Sequence, residues 1–136
     1  MVLYNPLQMV ADLPENYKNQ PGLNFIRNVP TDWSKTKIIN GEIGEYITIA
    51  RKEKDKENWF IGSITNETER SLNIPLNFLN IHKKYLATLY KDTEKSNWKS
   101  NPTAYKIDTT VVTYQSILKV KLAPGGGCAI TIKEIQ

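Results

Sequence analysis

The sequence contains one cysteine and one histidine, residue types that in many enzymes combine as a nucleophile and its general base. Cys128 alternates with Ile130 and Ile132, which predicts a thiol that faces inward and behaves as a small hydrophobic group. His82 lies in a polar turn ahead of two lysines. We therefore expect no Cys–His catalytic site, and a zinc site would need several further ligands that the sequence does not indicate.

Two pairs of carboxylates are close together in the sequence, and acid–base chemistry uses a pair held at a fixed separation. Glu42 and Glu45 flank a turn, whereas Asp92 and Glu94 lie in a polar loop. A carboxyl group acquires a raised pKa through burial or a nearby like charge, and neither surrounding sequence indicates either condition. The sequence therefore predicts no catalytic carboxylate and no metal ligand.

Three consecutive glycines at residues 125–127 are the next candidate, since glycine-rich loops bind phosphate groups. Such a loop requires a lysine and a hydroxyl residue, followed by a helix whose N-terminus faces the anion. Here Cys128 follows instead, in a stretch typical of a strand. The glycines therefore predict a tight turn with a positive φ angle.

The tryptophans are candidates for sugar binding, because exposed aromatic rings stack against sugar rings. Trp59 begins an alternating stretch and is expected in the core. Trp33 and Trp98 have polar neighbours, which predicts loops and exposed rings. These two residues are the candidate carbohydrate-binding residues, although packing against another domain is the commoner use of such side chains.

The N-terminal part of the chain has helical periodicity. The apolar stripe Leu7, Val10 and Ala11 predicts a short helix between two prolines, and a second short helix is expected over residues 23–29. The residue before a proline disfavours helix, so this second helix ends before Pro30. A domain boundary is expected near Pro30, where the helical period gives way to a period of two.

The rest of the chain alternates apolar and polar residues, with turn signals every 8 to 12 residues. This pattern predicts an all-β fold, an antiparallel two-layer β-sandwich of about eight strands with meander connections, preceded by a short N-terminal helical segment. The fourth strand contains Pro75 and is therefore expected at an edge. The predicted strands are residues 36–40, 45–51, 59–64, 71–76, 85–90, 105–114, 117–122 and 128–134.

Length and charge exclude several classes of protein. A chain of 136 residues corresponds to one domain, and its single cysteine excludes an internal disulfide framework. The net charge is +4, but the densest stretch, residues 51–57, alternates in sign, so we expect no nucleic-acid partner. No apolar run approaches the length of a membrane span, and the N-terminal residues do not resemble a secretory signal.

Five strings together resemble the C-terminal region of glycoside hydrolase family 97, a family of bacterial α-glucosidases and α-galactosidases. They occur in the expected order and extend over essentially the whole chain. The strings are PLQMVADLPENY at residues 6–17, VPTDW at 29–33, GEIGEYITIAR at 41–51, NWFIGSITN at 58–66 and LAPGGG at 122–127.

The resemblance implies a non-catalytic domain of a larger enzyme, whose catalytic (β/α)8 barrel precedes a C-terminal β-sandwich associated with oligomerisation. Residues 1–30 would be the last helical segment of the barrel plus a linker, and residues 31–136 the sandwich. The catalytic carboxylates and calcium ligands of the family lie outside this region, so we expect no cofactor here and no enzyme activity of this chain alone. The resemblance also suggests a periplasmic location.

The expected partners are therefore the catalytic barrel and a second copy of the chain. The candidate residues for interdomain packing are Leu7, Met9, Val10 and Leu13, whose apolar side chains the barrel would cover. The alternative function is a carbohydrate-binding module that uses Trp33 and Trp98.

Overall fold

The computed structural model describes residues 1–2, 13–18 and 20–135. Within these residues it contains a turn of 3-10 helix at Pro14–Tyr17, a short helix α1 (Leu23–Asn28) and eight strands. The all-β class and the short N-terminal helical segment are confirmed, and no described helix is long and apolar enough to cross a membrane. The strands are β1 (Trp33–Glu42), β2 (Tyr46–Glu53), β3 (Trp59–Thr65), β4 (Arg70–Pro75), β5 (Lys84–Asp92), β6 (Tyr105–Val112), β7 (Ile117–Leu122) and β8 (Gly127–Ile135).

The strands form two antiparallel sheets that make a two-layer sandwich, as predicted. Six strands form the large sheet in the order β1-β2-β3-β8-β5-β6, and β4 pairs with β7 in the small sheet. Pro75 ends β4, which is an edge strand, as expected. The predicted meander is wrong, because β8 inserts between β3 and β5 and the chain crosses twice to the small sheet. Alternation determines which face of a strand is buried, not which strand lies beside it.

The core lies between the two sheets and is built from the alternating residues of their facing sides. Trp59 is buried there, as predicted. Two buried polar side chains of this layer, Thr48 and Ser63, satisfy each other through a hydroxyl–hydroxyl hydrogen bond of 2.8 Å. The large sheet contributes Ala50, Trp59, Ile61, Tyr85, Ala87, Leu89, Val112, Cys128, Ile130 and Ile132, and the small sheet contributes Leu72, Ile74, Leu118, Val120 and Leu122.

The opposite side of the large sheet, here called the outer face, is covered at its centre by the N-terminal residues. Five consecutive residues at the start of β3 are buried, whereas a strand with one solvated face buries alternate residues. The ring of Phe25 in α1 lies edge-on to Phe60 and Tyr90, with centroid separations of 6.3 and 5.7 Å. A Cβ placed on Gly62 would lie 2.6 Å from Val2 Cγ2, so Gly62 allows the N-terminus to lie against the sheet.

Candidate interaction surface

One end of the outer face carries a group of isoleucines, which we call the hairpin patch: the exposed Ile38, Ile43 and Ile64 and the partly buried Ile47. Ile38 is 70% exposed, Ile43 in the β1–β2 turn is fully exposed, and Ile64 is 40% exposed. Together with the backbone of the turn they line a depression of about 530 Å³. Contiguous exposed apolar surface on a soluble domain marks contact with another protein.

Two of the charged groups beside the hairpin patch, Arg70 and Glu45, are paired with each other. Arg70 forms an ion pair with Glu45, and its guanidinium group lies 4.8 Å from the ring centroid of Tyr46. Arg70 also donates a hydrogen bond of 3.2 Å to Thr65 Oγ1. Glu42 also lines the patch and is exposed, so the patch is an apolar surface with one ion pair and one further carboxylate at its border.

A second exposed apolar group lies on the outer face at the other edge of the large sheet, on β5 and β6. We call this group the β6 flank: Leu86, Ile107 and Val111. Leu86 of β5 and Val111 of β6 are direct cross-strand partners. All three side chains are exposed. The centre of the outer face is thus covered by the N-terminal residues, whereas both of its sides are open.

The glycine turn predicted from the sequence is present, and a carboxylate holds it. Gly125 has a φ of +65°, so the predicted positive φ is confirmed. Asp92 Oδ2 accepts hydrogen bonds from the backbone N–H groups of Ala123 and Gly127, at 2.9 and 3.0 Å, and so binds both ends of the turn. Gly126 lies against the same carboxylate, because a Cβ there would come within 2.0 Å of Asp92 Oδ2. Two backbone N–H groups therefore occupy this carboxylate, whose observed role is to support a turn.

The two candidate sugar-binding tryptophans lie at opposite ends of the large sheet. The loop prediction is wrong for Trp33, which is the first residue of β1 because β1 pairs with β2 from that residue onward. Its half-buried ring lies edge-on to the ring of Phe60, with a centroid separation of 5.6 Å. Trp98 lies in the β5–β6 loop, 50% exposed, against Gly125. The length of β3 separates the two ends, about 20 Å at roughly 3.3 Å per residue. The structure therefore does not bring Trp33 and Trp98 into one site.

The candidate catalytic groups are also dispersed. Cys128 is buried, as predicted, and burial raises the pKa of its thiol to about 11. Cys128 pairs with Lys91 at one end of β5, whereas His82 precedes the other end and is exposed. Glu45 is bound by Arg70. Among the residues that the structure describes, no three His, Cys, Asp or Glu side chains form a group that could hold a metal ion.

The residues predicted for interdomain packing lie mainly outside the described part of the chain. Leu7, Met9 and Val10, like the helix expected around them, fall at positions that the structure does not describe. Leu13 is described and is 66% exposed. The expectation that Leu13 lies at an interdomain surface stays a prediction.

The molecule is thus a β-sandwich domain with exposed apolar surface on one face, and its family follows from comparison with known proteins. The family model described as "Glycosyl-hydrolase 97 C-terminal, oligomerisation" matches residues 32–133. The chain belongs to this family, and the resemblance drawn from the sequence is confirmed.

Similar proteins are much longer than this chain. A retaining alpha-galactosidase of Bacteroides thetaiotaomicron is 37% identical over 134 residues, which are 98% of this chain and 20% of that protein. A glycoside hydrolase family 97 enzyme of Pseudoalteromonas sp. strain K8, solved in complex with acarbose, is 40% identical with a TM-score of 0.95 and aligns with 99% of this chain and 21% of its own. A beta-arabinopyranosidase structure is 27% identical, with a TM-score of 0.73, over 96% of this chain and 19% of its own. The chain therefore spans about a fifth of the length of these enzymes.

Sequence reasoning missed the hairpin patch, although a signal for it exists. Ile43 lies in a turn between Glu42 and Gly44, where a β-hairpin usually has polar residues. A large apolar residue in such a turn indicates that the turn contacts other protein.

Proposed function

We propose that this chain is a non-catalytic accessory domain of a family 97 α-glycosidase, which packs against the catalytic barrel and contributes to a subunit interface. The observation that carries this proposal is the open apolar surface on both sides of the outer face. Covering a large apolar side chain contributes about 2 kcal/mol. Covering the isoleucines of the hairpin patch would therefore stabilise a contact with a neighbouring domain.

The position of the N-terminal residues favours the outer face as the side on which the barrel lies. Val2 and Phe25 both lie against this face, over Gly62 and Phe60. We propose that residues 1–30 belong to the last helical segment of the barrel and the linker that follows it. A barrel continuous with that segment would then adjoin the hairpin patch.

The dispersal of the candidate catalytic groups supports a non-catalytic role. Hydrolysis needs convergent polar groups in a concave site. His82 and Cys128 lie at opposite ends of β5, and the Asp92 carboxylate is engaged by two backbone N–H groups. We expect no hydrolysis of aryl α-glucosides or aryl α-galactosides by this chain alone.

A chimera tests the packing role directly. This chain would replace the matching fifth of the Pseudoalteromonas enzyme, and the glycosidase activity and thermal half-life of the chimera would be measured. We expect an active chimera whose half-life falls when Ile38→Asp is introduced. The matched control is Ile117→Asp, a comparably exposed isoleucine on the small sheet and outside the hairpin patch, and it should leave the half-life unchanged.

The isolated chain provides the reference for these variants. Ile38→Asp should not alter its urea midpoint, because Ile38 is exposed there. An inactive chimera, or an Ile38→Asp chimera as long-lived as its parent, would contradict the packing role. Hydrolysis of either aryl glycoside by the isolated chain would contradict the non-catalytic role.

Sugar binding is the second candidate function, and the half-exposed indole of Trp98 favours it. One contact of that ring is already made, since Lys99 Nζ lies 4.8 Å from its centroid. Titration with malto-oligosaccharides and α-galactosides, followed by tryptophan fluorescence, tests this function. A saturable change that Trp98→Ala abolishes and Trp33→Ala preserves would establish a sugar site at Trp98. No response at millimolar sugar would exclude it.

We also propose, on the family resemblance alone, that the parent enzyme is periplasmic and that its calcium binds outside this chain. Addition of calcium should therefore leave the melting temperature of the chain unchanged. Cell fractionation of the native host, with an antibody to the chain, tests the location.

A further inference from the structure

The large sheet has two edges, and only one of them is regular. The edge strand β1 has two irregularities in its pairing with β2, one between Trp33 and Lys35 and one between Ile38 and Asn40. Bulges and lysines on an edge strand prevent it from pairing with another sheet. The edge strand β6 pairs with β5 in uninterrupted register over its whole length.

The sequence of β6 is suited to pairing. Its eight residues, YKIDTTVV, are rich in the β-branched and aromatic residues that strands favour. Val111 is 57% exposed and Ile107 is 39% exposed, and both lie on the outer face with Thr109 between them. Among the described residues, β5 is the only strand beside β6. Within the described part of the chain, the outward backbone groups of β6 are therefore open to a further strand.

We propose that a second copy of this chain pairs with β6 through its own β6, antiparallel and with Thr109 on the twofold axis. The two six-stranded sheets then form one continuous sheet across the dimer. This inference rests on the assembly role proposed above and assigns that role to one strand. A twofold contact of this kind is self-complementary, because the same strand supplies both sides.

The register centred on Thr109 fits the side chains on the outer face. Residues whose numbers sum to 218 are then opposite one another, so Ile107 faces Val111 of the second copy and Thr109 faces itself. Pairs of apolar β-branched residues and pairs of threonines are favourable cross-strand neighbours. The β6 flank continues this surface through Leu86, the partner of Val111 on β5.

The charges on the other side of β6 are compatible with this register. Asp108 forms ion pairs with Lys91 at 2.8 Å and with Lys106 at 3.6 Å. An unpaired charge on an edge strand opposes pairing with another strand, but this carboxylate is neutralised. In the proposed pair Asp108 faces Thr110 of the second copy, and no two like charges are directly opposite. A register centred on Ile107 would align fewer residues of β6 and leave Val111 without a cross-strand neighbour.

Disulfide cross-linking tests the contact and its register. Thr109→Cys should form a covalent dimer on oxidation, because residues on the twofold axis of an antiparallel pair lie within disulfide reach. Thr36→Cys, the matched exposed threonine on β1, should stay monomeric on a reducing-agent-free gel. Cys128 is buried and is not expected to interfere. A dimer from Thr36→Cys but not from Thr109→Cys would overturn the proposal, and preferential cross-linking of Ile107→Cys would overturn the register.

Light scattering across a concentration series tests the assembly without new thiols. The wild-type chain should approach twice its monomer mass of 15.6 kDa, and the double variant Ile107→Lys/Val111→Lys should stay at the monomer mass. Ile43→Lys on the hairpin patch is the matched control and should still dimerise. Circular dichroism and the urea midpoint establish that each variant folds.

The possible failures are distinguishable. A folded double variant that still dimerises would overturn pairing through β6 and leave the assembly role intact. A wild-type chain that stays monomeric at every concentration would overturn both self-association and pairing through β6. The chimera experiment would then be the remaining test of whether the domain packs against the barrel.

Discussion

Removal of the Asp92 carboxylate should loosen the turn between β7 and β8 and destabilise the whole domain. Asp92 Oδ2 accepts two backbone hydrogen bonds, from Ala123 and Gly127. Hydrogen bonds to a charged group contribute about 1.5 to 3 kcal/mol each. The carboxylate is partly exposed, so water replaces some of the lost interaction and the lower value applies. Asp92→Ala should therefore reduce the free energy of unfolding by about 3 kcal/mol.

Urea unfolding followed by tryptophan fluorescence measures this change, and thermal unfolding should show a loss of about 12 °C at roughly 4 °C per kcal/mol. Asp92→Asn keeps an acceptor oxygen without its charge and should cost only about 1 kcal/mol. Glu94→Ala, an exposed carboxylate in the same loop, is the matched control and should stay within about 0.5 kcal/mol of wild type. An Asp92→Ala variant as stable as Glu94→Ala would refute the argument that the carboxylate holds the turn.

Three further predictions concern the core, the thiol and one ion pair. Ile74→Ala should cost about 3 kcal/mol in urea unfolding because it leaves a cavity between the sheets, whereas the exposed Ile43→Ala should cost less than about 0.5 kcal/mol. At pH 8 a thiol reagent should label Cys128 more slowly in the folded chain than in urea, because burial covers the thiol and raises its pKa to about 11. The hydrogen bond that Lys52 donates to Glu57 lowers the Glu57 pKa below its ordinary 4.5, so its stabilisation is present above that pH and is lost as the pH falls through the lowered value. Glu57→Gln should therefore weaken the loss of urea stability between about pH 5 and pH 3.

Each of these predictions has an outcome that contradicts it. Equal costs for Ile74→Ala and Ile43→Ala would mean that the sheets do not pack as described. Labelling of Cys128 at the same rate with and without urea would place the thiol at the surface. A pH profile unchanged by Glu57→Gln would show that Lys52 does not stabilise the folded chain through this carboxylate.

The strands were predictable because their signal is local. Residues 117–122 alternate apolar and charged side chains, and β7 has the predicted bounds. The start of β1 was less predictable, because the exposed Lys35 carries no apolar pattern and belongs to the strand through its pairing with Lys52 of β2. Backbone hydrogen bonds extend a strand beyond the residues whose side chains show an apolar pattern.

The neighbours of each strand and the second covered face were not predictable in the same way. Alternation gives β8 an inward face through Cys128, Ile130 and Ile132, but it does not indicate that β8 lies between β3 and β5. The start of β3 did indicate a second covered face, because its apolar residues are continuous, and continuous apolar residues are typical of a strand buried on both faces. The cover itself comes from residues far away in sequence, such as Phe25, and a local pattern does not encode such a contact.

The central position of β8 has a consequence for biosynthesis. Because the last strand in chain order joins β1-β2-β3 to β5-β6, a nascent chain lacking Gly127–Ile135 holds two separate β-units without the ladder between them. Folding of the large sheet therefore awaits the final residues of this domain, and every long-range pairing of β8 forms late and slowly. Chains that terminate before β8 would expose the edges of β3 and β5, and open sheet edges pair with other chains and aggregate. The strand order thus couples a folded domain to complete translation of its sequence.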